Sequence, residues 1–355
     1  MKILVTGGAG FIGSHAAEYH AKKGYEVTVF DNLSRVEILG KSVGDPLYNW
    51  NYLRNYHNIK LVKGDVRDFE EVKTASKNVD VIIHAAAQVA VTASLRDPRT
   101  DFEINALGTF NVLEAARLND ASLVFCSTNK VYGENVDKIA VKAEGKRYCF
   151  ADEKYRNGIP ETFPVDLCGH SPYGCSKLAA DLYVQDYAHT YGLKTGVFRL
   201  SCIYGERQFG VEDQGWVAWF TIATLTNKPI TIYGDGKQVR DVLYIEDLID
   251  AFDRFLGSKL KHEIFNIGGG PENILSLLEL LEFLKELTGK EARVSFADWR
   301  PADQRIYVSD VSKAKRILNW SPKIGVVDGI KRLARWVSAN IALFQTARSC
   351  KQLNY

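Results

Sequence analysis

Thr6-Gly7-Gly8-Ala9-Gly10-Phe11-Ile12-Gly13 sits between an apolar run and an amphipathic one. Lys2-Ile3-Leu4-Val5 before it reads as a buried strand, and Ser14 to Lys23 after it as a helix closed by Gly24. Gly7, Gly10 and Gly13, three residues apart at such a junction, let the backbone turn tightly and bring a helix N-terminus against a ligand. Bare N–H groups and the positive end of the helix dipole favour a pyrophosphate there. A second strand, Glu26 to Phe30, runs into Asp31-Asn32, and the Asp31 carboxylate can accept from both hydroxyls of an adenosine ribose. Strand, glycine turn, helix, strand and acid together read as a dinucleotide site over Gly7, Gly10, Phe11, Ile12, Gly13, Asp31 and Asn32.

Glycine gathers in loops for conformational reasons alone, so the turn carries weight only through its context. Asp31 favours NAD, because its charge repels the extra phosphate of NADP; Arg35 lies close enough to leave NADP open. A P-loop is excluded, since no Gly-Lys-Ser/Thr ends the turn.

At 355 residues the chain has room for one large or two ordinary domains. With 46% hydrophobic and 25% charged residues it has the composition of a soluble globular protein. A net charge of +2 gives no reason to expect nucleic acid or a membrane surface as partner. The chain opens on a core strand, so no signal peptide is expected, and no apolar run approaches the ~20 residues that span a bilayer. Cys126, Cys149, Cys168, Cys175, Cys202 and Cys350 match neither a metal site nor a disulfide framework, which points to a reducing cytoplasm. The histidines have no ligand spacing, so no metal is expected.

Short apolar strands recur with helical segments between them: Lys2–Thr6, Glu26–Phe30, Ile59–Val62, Val79–His84, Ser122–Ser127, Thr195–Ser201 and Glu263–Ile267. This alternation predicts an α/β fold with a doubly wound parallel sheet, a Rossmann arrangement. Gly64-Asp65-Val66 and His84-Ala85-Ala86-Ala87 end two of the strands, and such carboxyl ends line the ligand crevice. Asp65, Val66, Ala85 and Ala86 are therefore expected at the cofactor, with Asp65 near the adenine edge or else simply forming a turn. Residues 1–202 plus 241–270 should form the dinucleotide domain, 203–240 plus 271–345 a smaller interleaved lobe, and 346–355 a tail. Ser276-Leu277-Leu278-Glu279 is a capping box opening a helix that stops at Gly289.

Tyr173 and Lys177 supply the second signal. The same spacing occurs at Tyr19/Lys23, Tyr56/Lys60 and Tyr233/Lys237, so the setting decides: Ser171-Pro172 can start a helix, and Ala179-Ala180-Asp181-Leu182 continues one. Residues four apart share a helix face. A lysine ammonium beside a phenol favours the phenolate and makes the tyrosine a usable base. Thr128, at the carboxyl end of the strand Ser122–Ser127, could bind the same substrate oxygen. Thr128, Tyr173 and Lys177 would then bind an alcohol, take its proton and pass hydride to a nicotinamide.

From Met1 to about Leu333 the chain resembles the extended short-chain dehydrogenase/reductase family of nucleotide-sugar enzymes. Gly7/Gly10/Gly13, Thr128 and Tyr173/Lys177 match its cofactor and catalytic positions. Closer still, 127–133 (Ser-Thr-Asn-Lys-Val-Tyr-Gly), 170–177, Arg207-Gln208-Phe209 and 213–220 are similar to the CDP-paratose (CDP-tyvelose) 2-epimerase branch of that family. The resemblance implies inversion at C2 of a nucleotide-linked hexose with NAD, Tyr173 and Lys177 also touching the cofactor. It places Thr128, Asn129, Arg207, Gln208, Arg240, Arg300 and Arg305 at the substrate, the arginines suiting a diphosphate by their forked geometry. A homodimer through two helices per subunit is implied by the family alone.

Two departures stand out. Cys202 lies where many relatives place Asn, and Glu134 to Gly169 is a long segment suggesting a lid or insertion. The rival readings are a 4-epimerase, a 4,6-dehydratase, a dehydrogenase and a non-catalytic NAD-binding sensor. Dehydratases of the family carry Asp-Glu where this chain has Asn129-Lys130, and a sensor has no need of a base.

Overall fold

The computed structural model describes residues 1–40 and 43–345; the expected tail, with Cys350, lies outside the described residues. Seven strands form one parallel sheet: β1 (Lys2–Thr6), β2 (Glu26–Asp31), β3 (Ile59–Lys63), β4 (Val81–His84), β5 (Ser122–Thr128), β6 (Thr195–Leu200) and β7 (His262–Ile267). Their order is β7-β6-β5-β4-β1-β2-β3, so the chain winds outward in both directions from β1 and β4. These are the seven segments read from the sequence, with ends shifted by a residue or two. Runs such as Ile82-Ile83 and Leu123-Val124-Phe125 are fully buried because helices cover both faces. One face packs under the helices Phe11–Lys22 and Ile245–Leu256 (Ala16, Ala17, Phe252, Phe255), the other under Gly108–Asn119 and Ser171–Tyr191 (Val112, Leu113, Ala180, Val184).

The first helix corrects the sequence reading. It starts at Phe11, not Ser14, because Gly10 is already its cap and the third glycine lies inside the first turn. The Ser276 box behaves as read: Ser276 Oγ accepts from the Glu279 N–H, Glu279 accepts in return from the Ser276 N–H, and Gly289 ends the helix with φ +68°.

The smaller lobe is built around a mixed sheet of Cys202–Tyr204, Val239–Tyr244, Ile274–Ser276 and Ile306–Tyr307. The boundaries expected at 202 and 241 both fall within this sheet, and the chain returns to the central sheet with the helix from Ile245. None of residues 134–169 is among those lining the cavity described below. Their hairpin, Val141–Glu144 with Arg147–Phe150, packs Val141, Tyr148 and Phe150 against Val239, Ile306 and Val308 on the outside of the lobe. Arg147 pairs with Glu279 at 2.6 Å, and Tyr148 donates to Asp235 at 2.6 Å. Among the described residues no helix is long and apolar enough to cross a membrane.

Candidate active site

A cavity of about 550 Å³ runs along the carboxyl ends of the central strands and under the smaller lobe. Gly7, Gly10, Phe11, Ile12, Gly13, Asp31, Asn32, Val66, Ala85 and Ala86 all line it. The glycines are there for want of space. Gly7 has φ +66°, and a Cβ on it would stand 2.5 Å from Ala86 N; a Cβ on Gly13 would run into the Gly7 carbonyl. Turn and helix N-terminus are thus packed as closely as backbone allows, the cradle a pyrophosphate requires. Behind it, buried His84 accepts from Thr6 Oγ1 at Nδ1 (2.6 Å). Its Nε2 meets Thr109 Oγ1 (2.9 Å), whose own proton goes to the Asn105 carbonyl. Burial drives its pKa down to about 3, so it stays neutral and braces the turn.

Asp31 accepts from the Ala9 and Leu33 N–H groups at 3.0 and 2.8 Å, and burial raises its pKa. Arg35 is turned away from that carboxylate. Its guanidinium donates to the Phe209 carbonyl (2.7 Å) and Gln214 (3.2 Å), tying the cofactor side to the smaller lobe. Asp65 does not reach the cavity. Arg67 grips both of its oxygens (3.0 and 2.7 Å) and Asn32 donates to it at 2.9 Å, holding it well ionised near pKa 2 in the turn role.

Thr128, Asn129, Tyr173 and Lys177 meet on the cavity wall where β5 faces the helix Ser171–Tyr191. The Thr128 hydroxyl lies beside the Tyr173 phenol, where it favours the phenolate, and donates to Asn129 Oδ1 at 3.3 Å. Lys177, one turn on, reaches past the phenol to the Cys126 carbonyl at 2.7 Å, its ammonium 4.3 Å over the Phe125 ring. The lowered phenol pKa expected from the spacing is therefore not found in these side chains alone. Burial pushes Tyr173 up to about 12, opposed by the neighbouring Thr128 hydroxyl, and pulls Lys177 down to about 8. A buried phenolate costs more than one hydroxyl returns.

A buried polar network fixes this corner. Asp181 accepts from Ser127 (2.6 Å) and pairs with Arg199 (3.0 Å), pinning the strand end to the helix. Asp101 accepts from Ser176 (2.6 Å), and Ser94 accepts from the Tyr173 N–H (3.1 Å). Sequence reasoning missed these supports, as their partners lie 18 to 79 residues away with no motif to mark them.

The substrate candidates divide. Gln208 lines the cavity, its Nε2 held by the Ile203 carbonyl (3.1 Å) and its buried Oε1 without a partner. Arg240 lines it too, paired with Asp303 at 2.7 Å. Arg300 stacks 3.8 Å from the Tyr233 ring and pairs with Asp213 at 3.1 Å. Arg207 lines the cavity; its Nη2 donates to Glu18 (2.6 Å) and the guanidinium lies 4.2 Å over the Tyr52 ring, a tie between the first helix and the smaller lobe, while its buried Nη1 has no partner among the described residues. Arg305 lies outside, exposed and 5.7 Å over Tyr148 of the hairpin. Cys202 lines the cavity and accepts from Trp216 Nε1 at 3.4 Å. Lys130, unassigned from the sequence, also lines the cavity, with Nζ 3.0 Å from the Ala302 carbonyl.

Glycine cradle, strand-end acid and hydroxyl–phenol–lysine corner fit a nicotinamide dinucleotide laid across the crevice. Comparison with known proteins agrees. The chain is 43% identical to CDP-paratose 2-epimerase of Salmonella typhi, over 96% of its own length and all of that protein. Its fold superposes with TM-score 0.80 on UDP-glucose 4-epimerase from Thermotoga maritima, solved with UDP-glucose, at 32% identity over 96% of this chain and 100% of that one. Thermus thermophilus UDP-glucose 4-epimerase, solved with NAD, gives 0.76 at 34% identity over 95% and 99%. The family model matching residues 3–268 is described as NAD dependent epimerase/dehydratase, and the chain belongs to that family, with NAD as its cofactor.

Proposed function

We propose that the protein inverts C2 of a nucleotide-linked hexose of the CDP-paratose/CDP-tyvelose type, through a transient 2-keto sugar. The observation that carries the choice of carbon is the end-to-end likeness to a CDP-paratose 2-epimerase; the oxidoreductive route is carried by the meeting of Thr128, Tyr173 and Lys177 at the crevice. The cradle of Gly7, Gly10 and Gly13 would hold the pyrophosphate of NAD, Asp31 its adenosine ribose and Lys177 its nicotinamide ribose. NAD, when bound, supplies a hydride acceptor at C2, a donor to the opposite face, and a positive charge near the phenol. Tyr173 takes the C2 hydroxyl proton and later returns it, while Thr128 holds the same oxygen. Arg240 and Arg300 exchange part of their present acidic contacts for diphosphate oxygens, and the unpartnered Gln208 Oε1 accepts from the substrate. Asn129-Lys130 beside Thr128 offers no carboxylate pair for eliminating water. We further place the protein in the reducing cytoplasm, in keeping with five free thiols among the described residues, and as a homodimer.

The route is tested by label. A substrate deuterated at C2 is expected to give product still deuterated at C2, and unlabelled substrate in heavy water to gain nothing there. Solvent deuterium at C2 would sink the oxidoreductive route; inversion at C4 would instead place the protein with the 4-epimerases.

A further inference from the structure

We propose that Lys130 selects the reacting carbon: its half-buried ammonium takes the phosphate attached to the sugar and so brings C2, rather than a carbon across the ring, to Tyr173. This rests on the C2 reading above. Lys130 lies two residues past Thr128, in the turn that follows β5, and its backbone N–H donates to Thr128 Oγ1 at 3.3 Å. Its side chain crosses the cavity wall to Ala302 in the smaller lobe. Ala302 is held at φ +58°, a region that an alanine enters only under strain, in the loop that also carries Arg300 and Asp303. Asp303 in turn accepts from Arg240. The ammonium therefore stands between the hydroxyl corner and the arginine side of the cavity.

The electrostatics suit an anion. Burial and the neighbouring Arg240 pull the Lys130 pKa down to about 8, with Asp303, Cys202 and Asp137 acting the other way. It stays protonated at neutral pH. An ammonium has three donors, and among the described residues one hydrogen bond is made, to Ala302. A partly desolvated cation short of acceptors gains from a charged oxygen.

Substrate chemistry then fixes which oxygen. The phosphate sits on C1, and C2 is bonded to C1, whereas C4 lies across the ring. If C2 is at the Tyr173 phenol, the sugar-linked phosphate must lie next to the Thr128 corner, where Lys130 is. If C4 were there, that phosphate would lie a ring's width farther off, toward Arg300.

The experiment compares CMP and CDP binding to the NAD-loaded protein, since only CDP carries the second phosphate. Lys130→Met is expected to weaken CDP roughly 10- to 100-fold, as for loss of a charge-assisted hydrogen bond, and to leave CMP within about 2-fold. The KM for the nucleotide sugar should rise alongside, and Lys130→Arg should restore most of both. If Lys130→Met does not fold, Lys130→Gln keeps a donor for the Ala302 carbonyl and must give the same unequal loss. Equal loss of CMP and CDP would mean that Lys130 only ties the Ala302 loop, and overturns the assignment. Wild-type inversion at C4 would overturn the C2 reading and the carbon selection with it. Wild-type inversion at C2 with equal losses would overturn the role of Lys130 alone.

Discussion

At the scale of the residue, Tyr173 is held by more than its neighbours in sequence. Ser94 fixes its backbone and Asp101 the Ser176 turn of its helix, with the Thr128 hydroxyl beside the phenol. Tyr173→Phe removes one oxygen and leaves the Ser94 and Asp101 contacts in place, so folding and bound NAD should persist. Turnover should fall at least ~100-fold, the lower range for a positioned acid–base group. Near-normal turnover in folded Tyr173→Phe would take the phenol out of the mechanism. The residue scale is also where sequence was least legible. The spacing of Tyr173 and Lys177 gave their shared helix face, but not that the ammonium passes on to the Cys126 carbonyl. Likewise Asp65 and Arg305 have the right chemistry for ligands and are taken up by Arg67 and the Tyr148 ring. Which partner a charged side chain finds depends on residues far along the chain, and no local pattern records that.

At the scale of the element, the glycine turn and the first helix act as one piece. A methyl group on Gly13 meets the Gly7 carbonyl, and the backbone on both sides is fixed by β1 and the helix. Gly13→Ala should therefore push the helix N-terminus off the cradle and leave the protein substantially free of NAD after purification. A full complement of bound NAD in Gly13→Ala would show that the turn tolerates the shift. Elements were the legible level. All seven sheet strands could be read because buried parallel strands are continuous apolar runs, a local signal. The helix at Ser276 was read from its capping box, and Gly289 from its place at the end. The hairpin 141–150 escaped because its short, half-polar strands pack against residues more than 80 positions later, and only that packing makes them strands.

At the scale of the whole molecule, apolar side chains lie exposed on two neighbouring helices. Phe110 and Tyr183 touch at 5.8 Å between ring centroids, and Leu182 beside Tyr183 is exposed too. The proposed dimer would meet there, a two-fold axis setting this exposed aromatic pair against its own copy. Phe110→Asp should shift the protein to a monomer in sedimentation, without loss of helical signal. A wild type that sediments as a monomer at micromolar concentration would refute the dimer. The hairpin 141–150 bears on biosynthesis. Its apolar side, Val141, Tyr148 and Phe150, is covered by Val239, Ile306 and Val308, of which Val308 leaves the ribosome 167 residues after Val141. At ordinary elongation rates that is a wait of about 10–30 s. Over that interval the nascent chain carries a sticky, half-made surface, so its yield in a cell is set by what shields those three side chains until translation ends.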